Sequence, residues 1–362
     1  MSKRTLDIKT NRFPSDFSGN YIFDQIEKKF LEEVEINLEE LCARYFLEAF
    51  NDRRPIFEYG QFTLLNYLIP DVSEFKFTGK QPGADKDSRR DNSRILGQTI
   101  CRYFVEKIFG QTYIANISNI LNRNLPGKFS HISIKKKQKG DTPDYLFMDN
   151  NNKPCLAEAK GRRNAIEFDS DDFDKWRKQF DTVEILINEI PQAVKGYITS
   201  LSIANENNKL SNSILNIEDP DYEGEEYEDE NLGELIKLAH YERILSKTYL
   251  NFIGNSLLSQ DDLSIQKKFP VSVFKIDGFK THGFDEIVSL NRYYQRFYDE
   301  SIPFVGITLK TLERLLDIAR GKRYFNIEDI KYENFNSVFF RFTDGFVVCN
   351  PNLLEFIERR DI

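Results

Sequence analysis

Apolar side chains recur every three to four residues in some stretches of this chain and every second residue in others. The changes of period divide it. From Leu38 to Phe50, the residues Leu38, Leu41, Cys42, Tyr45, Phe46 and Ala49 share one helical face, and residues 1–77 read as mostly helical. Thr78–Asn92, with Gly79, Pro82 and Gly83, reads as a loop or boundary. Leu96, Ile100, Phe104 and Ile108 then repeat every four residues. They predict a helix over Arg94–Phe109, capped by Ser93 and ended by Gly110. Beyond it, residues 131–137, Asp144–Asp149 and Cys155–Lys160 suit short strands, with Asp149–Pro154 as a hairpin turn between the last two.

The helical period returns from Asp172 to Ser202, with Ile185, Ile187, Ile190 and Val194 pointing inward and Pro191 marking a break or a new start. Residues 205–231 are polar and read as irregular. Helices are expected over 233–258 and 284–299. A strand at 303–308 feeds a helix over Leu309–Arg320, and Thr343-Asp344-Gly345 turns a hairpin. A chain of 362 residues exceeds what one core usually serves. The expected organisation is a helical N-terminal segment (1–90), a core (91–204), an acidic or polar linker or insert (205–231) and an α+β region (232–362). The class is α/β, α+β overall.

Composition narrows the function classes. Hydrophobic residues at 40% and charged residues at 30% are globular proportions. Cys42, Cys101, Cys155 and Cys349 show no paired spacing, so neither a zinc set nor a disulfide framework is expected. His131, His240 and His282 lie too far apart in sequence to suggest a histidine-built metal centre. The opening Met1–Asp7 has no apolar leader, and no run reaches the ~18 apolar residues of a membrane span. A cytoplasmic chain with no membrane partner is expected. No P-loop, Gly-x-Ser-x-Gly or dinucleotide-binding glycine motif occurs, so any motor would be a partner's.

The net charge of −8 argues at first against a nucleic-acid binder. Residues 217–230, however, hold nine acids and no Lys or Arg; without them the balance is +1. Residues 122–163 carry ten Lys or Arg against four Asp or Glu. The acidic run is either a solvated linker or a segment that shields a basic site.

The chemistry gathers in that basic stretch. Side chains alternate across a strand, so Glu158 and Lys160 point to the same face. Asp144 opens the preceding strand and can reach that face at its end. Two carboxylates and an ammonium placed together are costly unless they serve a purpose. Asp144, Glu158 and the backbone carbonyl of Ala159 offer the oxygen ligands that Mg²⁺ or Mn²⁺ takes. Lys160 would orient a water or stabilise charge on a phosphate.

Pro143-Asp144 followed across a hairpin by Glu158-Ala159-Lys160 resembles the PD-(D/E)xK phosphodiesterase superfamily, with its restriction-endonuclease-like fold. The likeness covers residues 90–204, through the order helix, three strands, helix. It implies a mixed central sheet flanked by helices and a Mg²⁺-dependent endonuclease, with Asp144, Glu158 and Lys160 as the catalytic set. It also implies nucleic acid as substrate, DNA more than RNA, and a role in restriction or antiviral defence. An ATPase or another defence protein would be a partner, and a homo-oligomer is compatible. The competing expectation is a nuclease-fold binding or scaffold subunit without cleavage. Many members add a glutamate from the first helix; here Gln98 holds that position, and Glu106 lies two turns on.

Lys135, Lys136, Lys137 and Lys139 could track a phosphate backbone or form a solvated hairpin end. Arg162 and Arg163 follow the strand and suit phosphates, and Gln192 and Lys195 are further contact candidates. Trp176, inside a basic cluster, is a stacking platform or a packing residue, and His131 is more simply a packed or capping residue. Lys280–Asp285 reads as a glycine turn before a helix cap.

Overall fold

The alternation that marks a strand is already present at the N-terminus. In the computed structural model, Lys3–Asn11 (β1) buries Leu6 and Ile8, and Glu33–Asn37 (β2) buries Val34 and Ile36. The structure describes residues 3–14, 17, 21–44, 65, 67–80, 83–220, 224, 230–259, 268–276, 286–290, 304–320, 333–336, 339–349 and 351–362. The mostly helical 1–77 expected from sequence is therefore wrong. Residues 38–44 are helical, but β1 and β2 pair with each other, and 45–50 lie outside the described residues.

The chain divides into two units, with the division between His240 and Tyr241. The first is mixed α/β. Its main elements after β2 are the helix Lys86–Phe109 (α1), Ala115–Asn116 (β3), Ile132–Lys136 (β4), Tyr145–Met148 (β5), Pro154–Arg162 (β6), the helix Asp171–Phe180 (α2), Val183–Ile187 (β7), Lys195–Ser202 (β8) and Ile214–Glu218 (β9). A seven-stranded mixed sheet runs in the order β2-β1-β9-β8-β6-β5-β3. In it β8 is parallel to β6, and β5 is antiparallel to β6.

Of the three strands expected around the motif, β5 and β6 share this sheet. The first, β4, pairs instead with β7 in a small separate sheet that also holds Ile190–Pro191. The helix expected over 172–202 stops at Phe180. Val183–Ile187 is a short apolar run that periodicity cannot tell from buried helix. Tyr197-Ile198-Thr199 is β-branched and aromatic, and β8 is buried on both faces, as a central strand should be. The expected linker 205–231 contains β9, which lies between β8 and β1 in the sheet.

The helix α1 begins eight residues earlier than periodicity suggested. Asp85 caps it, accepting from the N–H groups of Asp87 (2.9 Å) and Ser88 (2.8 Å). Ser93, the expected cap, bonds back to the Arg89 carbonyl instead. Gly110 ends the helix with φ +64°, as expected. Its buried face meets the sheet, where Cys101 and Val105 pack with Tyr145, Phe147, Cys155, Ala157, Ala159 and Tyr197.

Helix and strand come together on two glycines. A Cβ on Gly97 would stand 2.5 Å from the Gly161 nitrogen, and one on Gly161 would overlap the Ser93 carbonyl oxygen. Glycine at both positions is a steric requirement of this close approach.

The helix Glu230–Leu245 (α3) carries the chain into the second unit, where Asn251–Ser256 (α4) follows, so the helix expected over 233–258 is two. That unit has its own seven-stranded sheet. Its strands are Pro270–Ile276 (β10), Ile287–Ser289 (β11), Phe304–Thr308 (β12), Glu333–Asn336 (β13), Phe339–Arg341 (β14), Phe346–Cys349 (β15) and Leu354–Asp361 (β16), in the order β13-β14-β15-β12-β11-β10-β16. Thr308 caps the helix Leu309–Ala319 (α5), and Gly345 turns the expected hairpin with φ +80°. Within the helix expected over 284–299, the described residues include β11; 291–299 and the turn 280–285 lie outside the description. Among the described residues, no helix is long and apolar enough to cross a membrane.

Candidate active site

The site is built on β6. Because Cys155, Ala157 and Ala159 face α1, alternation sends Glu158 and Lys160 to the opposite face of the sheet. Asp144 stands just before β5, whose Tyr145 is opposite Ala157, so the chain delivers its carboxylate next to Glu158. Asp144 Oδ2 accepts from the Ala159 N–H at 2.9 Å, and the Asp144 N–H donates to the Glu158 carboxylate. This exchange of hydrogen bonds fixes both carboxylates across the hairpin. Lys160 forms an ion pair with Glu158.

The electrostatics are unusual for a structural cluster. Glu158 is 1% exposed, whereas the Lys160 side chain is 30% exposed. Burial, and then the neighbouring charge of Asp144, push the Glu158 carboxyl well above the ordinary range despite Lys160. Burial alone would lower the Lys160 ammonium; Glu158, Asp144 and Asp141 outweigh it and raise it. One partly exposed ammonium thus faces two carboxylates, of which Glu158 is nearly shut off from water, and the group favours additional positive charge. That is the property a divalent cation with oxygen ligands would satisfy, so the residues fit Mg²⁺ or Mn²⁺. Among the described residues, no group of three or more His, Cys, Asp or Glu gathers. Asp144 and Glu158 would need the Ala159 carbonyl and waters to complete a coordination shell.

The glutamate sought on the first helix is absent from the site. Gln98 is buried, and its oxygen accepts from Arg94 at 2.9 Å. Glu106 is engaged by Arg44 in a buried ion pair.

The contact candidates separate into two groups. Lys135, Lys136, Lys137 and Lys139 are all exposed, on and just after β4. The Lys137 N–H donates to the Thr182 carbonyl (2.8 Å), and the Thr182 hydroxyl lies 3.0 Å from the Asp141 carbonyl. The basic strand therefore ends beside the loop that delivers Asp144. Arg162 continues the Glu158–Lys160 face. It pairs with Asp172 at 2.8 Å and stands 5.4 Å from the centre of the Trp176 ring. Arg163 is exposed.

The other two candidates lie elsewhere. Lys195 is in register with Cys155, which places it on the α1 side of the sheet, where it pairs with Asp219 at 2.6 Å. Gln192 sits beside the small sheet, its amide donating to the Ile190 carbonyl. Trp176 packs against Phe173, at 4.8 Å between ring centres.

One site residue escaped the sequence reading. Gln179, on the last turn of α2, brings its side-chain amide to Glu158. The helical pattern did run through it, but it gave no reason to single out this glutamine. The described start of the acidic run, residues 217–220, is buried and not a solvated linker. Glu218 is fully buried at the end of β9, where Arg177 grips it through Nε (2.6 Å) and Nη2 (2.9 Å) and Asn11 donates at 3.0 Å. Most of the run beyond Pro220 lies outside the described residues. Comparisons with family models, curated proteins and solved structures find no match.

Proposed function

We propose that this chain is a metal-dependent phosphodiesterase acting on nucleic acid, with a PD-(D/E)xK site made by Asp144, Glu158 and Lys160. The observation that carries the reading is the Asp144–Glu158 pair, locked across the β5–β6 hairpin with Lys160 on the same face. Asp144, Glu158 and the Ala159 carbonyl would hold Mg²⁺ or Mn²⁺, which supplies an acidified water and neutralises charge on the scissile phosphate. Lys160, partly exposed beside the buried carboxylates, is placed to hold that water or to meet the developing negative charge. Arg162, Lys136 and Lys137 would position the neighbouring phosphates without reading bases. DNA is the preferred substrate, and the defence or restriction role follows from the same resemblance.

A second reading, a nuclease-fold binding or scaffold subunit, is favoured by the lack of a helix carboxylate: Glu106 is engaged by Arg44, and the position that the resemblance assigns to a glutamate holds Gln98. The test is incubation of purified protein with plasmid DNA, linear DNA and RNA, in Mg²⁺ or in chelator, beside Asp144→Ala and Lys160→Ala. Cleavage that needs both Mg²⁺ and the two side chains supports the enzyme. Equal inactivity of wild type and variants on every substrate supports the scaffold.

A further inference from the structure

The Glu158 carboxylate must hold one orientation to serve as a ligand, yet the last torsion of a glutamate side chain is soft and broadly populated. We propose that Gln179 is the positioning residue that fixes that orientation. The inference rests on the metal-centre reading above and names a residue that the motif does not contain. Gln179 is 7% exposed, and its amide nitrogen, oriented to donate, lies 2.6 Å from Glu158 Oε1 and 3.3 Å from Oε2. Lys160 meets the same Oε1. The ammonium is a rotatable point donor, whereas the planar amide, held by a helix, sets direction.

The backbone that carries this amide is itself anchored. The Gln179 main-chain carbonyl accepts from the Thr182 N–H (3.0 Å) and hydroxyl (2.6 Å), and that hydroxyl also lies 3.0 Å from the Asp141 carbonyl. The end of α2 thus ties the strand that carries Glu158 to the loop that carries Asp144. Packing alone gives no reason for an amide here. A buried amide needs a partner, and an apolar side chain of similar size would fill the same volume without that demand.

The test compares Mn²⁺ binding to the full chain by calorimetry and by the electron paramagnetic resonance spectrum of the bound ion. Gln179→Met keeps the volume and removes the donor; Gln179→Asn keeps an amide but withdraws it by one methylene. Thermal melts establish that each variant is folded, and Gln179→Asn carries the test if Gln179→Met is not. The expected result is Mn²⁺ affinity weaker by about 10- to 100-fold, with an altered spectrum. On nucleic acid, kcat should fall while KM holds. Wild-type affinity and an unchanged spectrum in the folded variants would overturn the role of Gln179. Equal Mn²⁺ affinity in wild type and Asp144→Ala would instead overturn the metal centre itself.

Discussion

Replacing Gly161 by alanine tests how the site strand is held. A Cβ there would overlap the Ser93 carbonyl oxygen and stand 2.5 Å from its carbon, whereas real Cβ contacts essentially never fall below 3.0 Å. The obstacle is the backbone of a 24-residue helix, so no side-chain rotation relieves it. The helix α1 must retreat from β6, opening the packing of Cys101 and Val105 on Ala157 and Ala159. Overpacking against side chains costs roughly 1–3 kcal/mol. A clash with backbone belongs above that range, at about 3–5 kcal/mol, which lowers Tm by roughly 6–20 °C for a unit of this size.

The assay is thermal unfolding with and without Mn²⁺, beside Gly233→Ala. Gly233 is on α3, and its nearest obstacle is the Met148 Cγ at 4.0 Å. That control should gain up to about 1 kcal/mol from helix propensity. A Gly161→Ala protein that melts like wild type would refute the close approach of α1 to β6.

Further outcomes are expected from other parts of the fold. Glu218→Ala leaves Arg177 without its buried partner and should cost about 3–5 kcal/mol in chemical denaturation; a loss below 1 kcal/mol would mean that Glu218 is not clamped. Glu106→Ala breaks the buried Arg44 pair, with a loss of similar size by that measure, and should leave Mn²⁺ affinity unchanged, since Glu106 serves α1 and not the site. The Asp85 carboxyl is held below its ordinary value by the Ser88 and Asp87 groups that it caps, so it stabilises the folded state above its unfolded pKa of 3.8. The Tm deficit of Asp85→Ala should therefore be full at pH 7 and shrink as pH falls below 3.8 through the lower folded value. A deficit that does not depend on pH would argue against the cap.

The motif and its hairpin could be read from sequence because local rules determine them. Alternation placed Glu158 and Lys160 on one face, and Asp149–Pro154 set the turn that returns β6 to Asp144. The strands β7 and β8 were hidden because an apolar run buried on both faces has no period of its own, and Ile185 and Ile187 fit a helical face as well as a strand. The strands β1 and β2 alternate, but their polar-rich pattern runs directly into the helical rhythm that begins at Leu38. Gln179 and the pairing of Arg177 with Glu218 depend on contacts between distant segments, which no local pattern encodes. The face of Lys195 is set in the same way: a helical reading gives it none, whereas its register with Cys155 turns it away from Glu158.

The most direct measurement is anomalous diffraction from crystals soaked in Mn²⁺. The expected result is one strong peak within coordination distance of both Asp144 and Glu158, lost in Asp144→Ala. A saturating soak that leaves this position without a peak, or places the ion only elsewhere, would contradict the metal-dependent site.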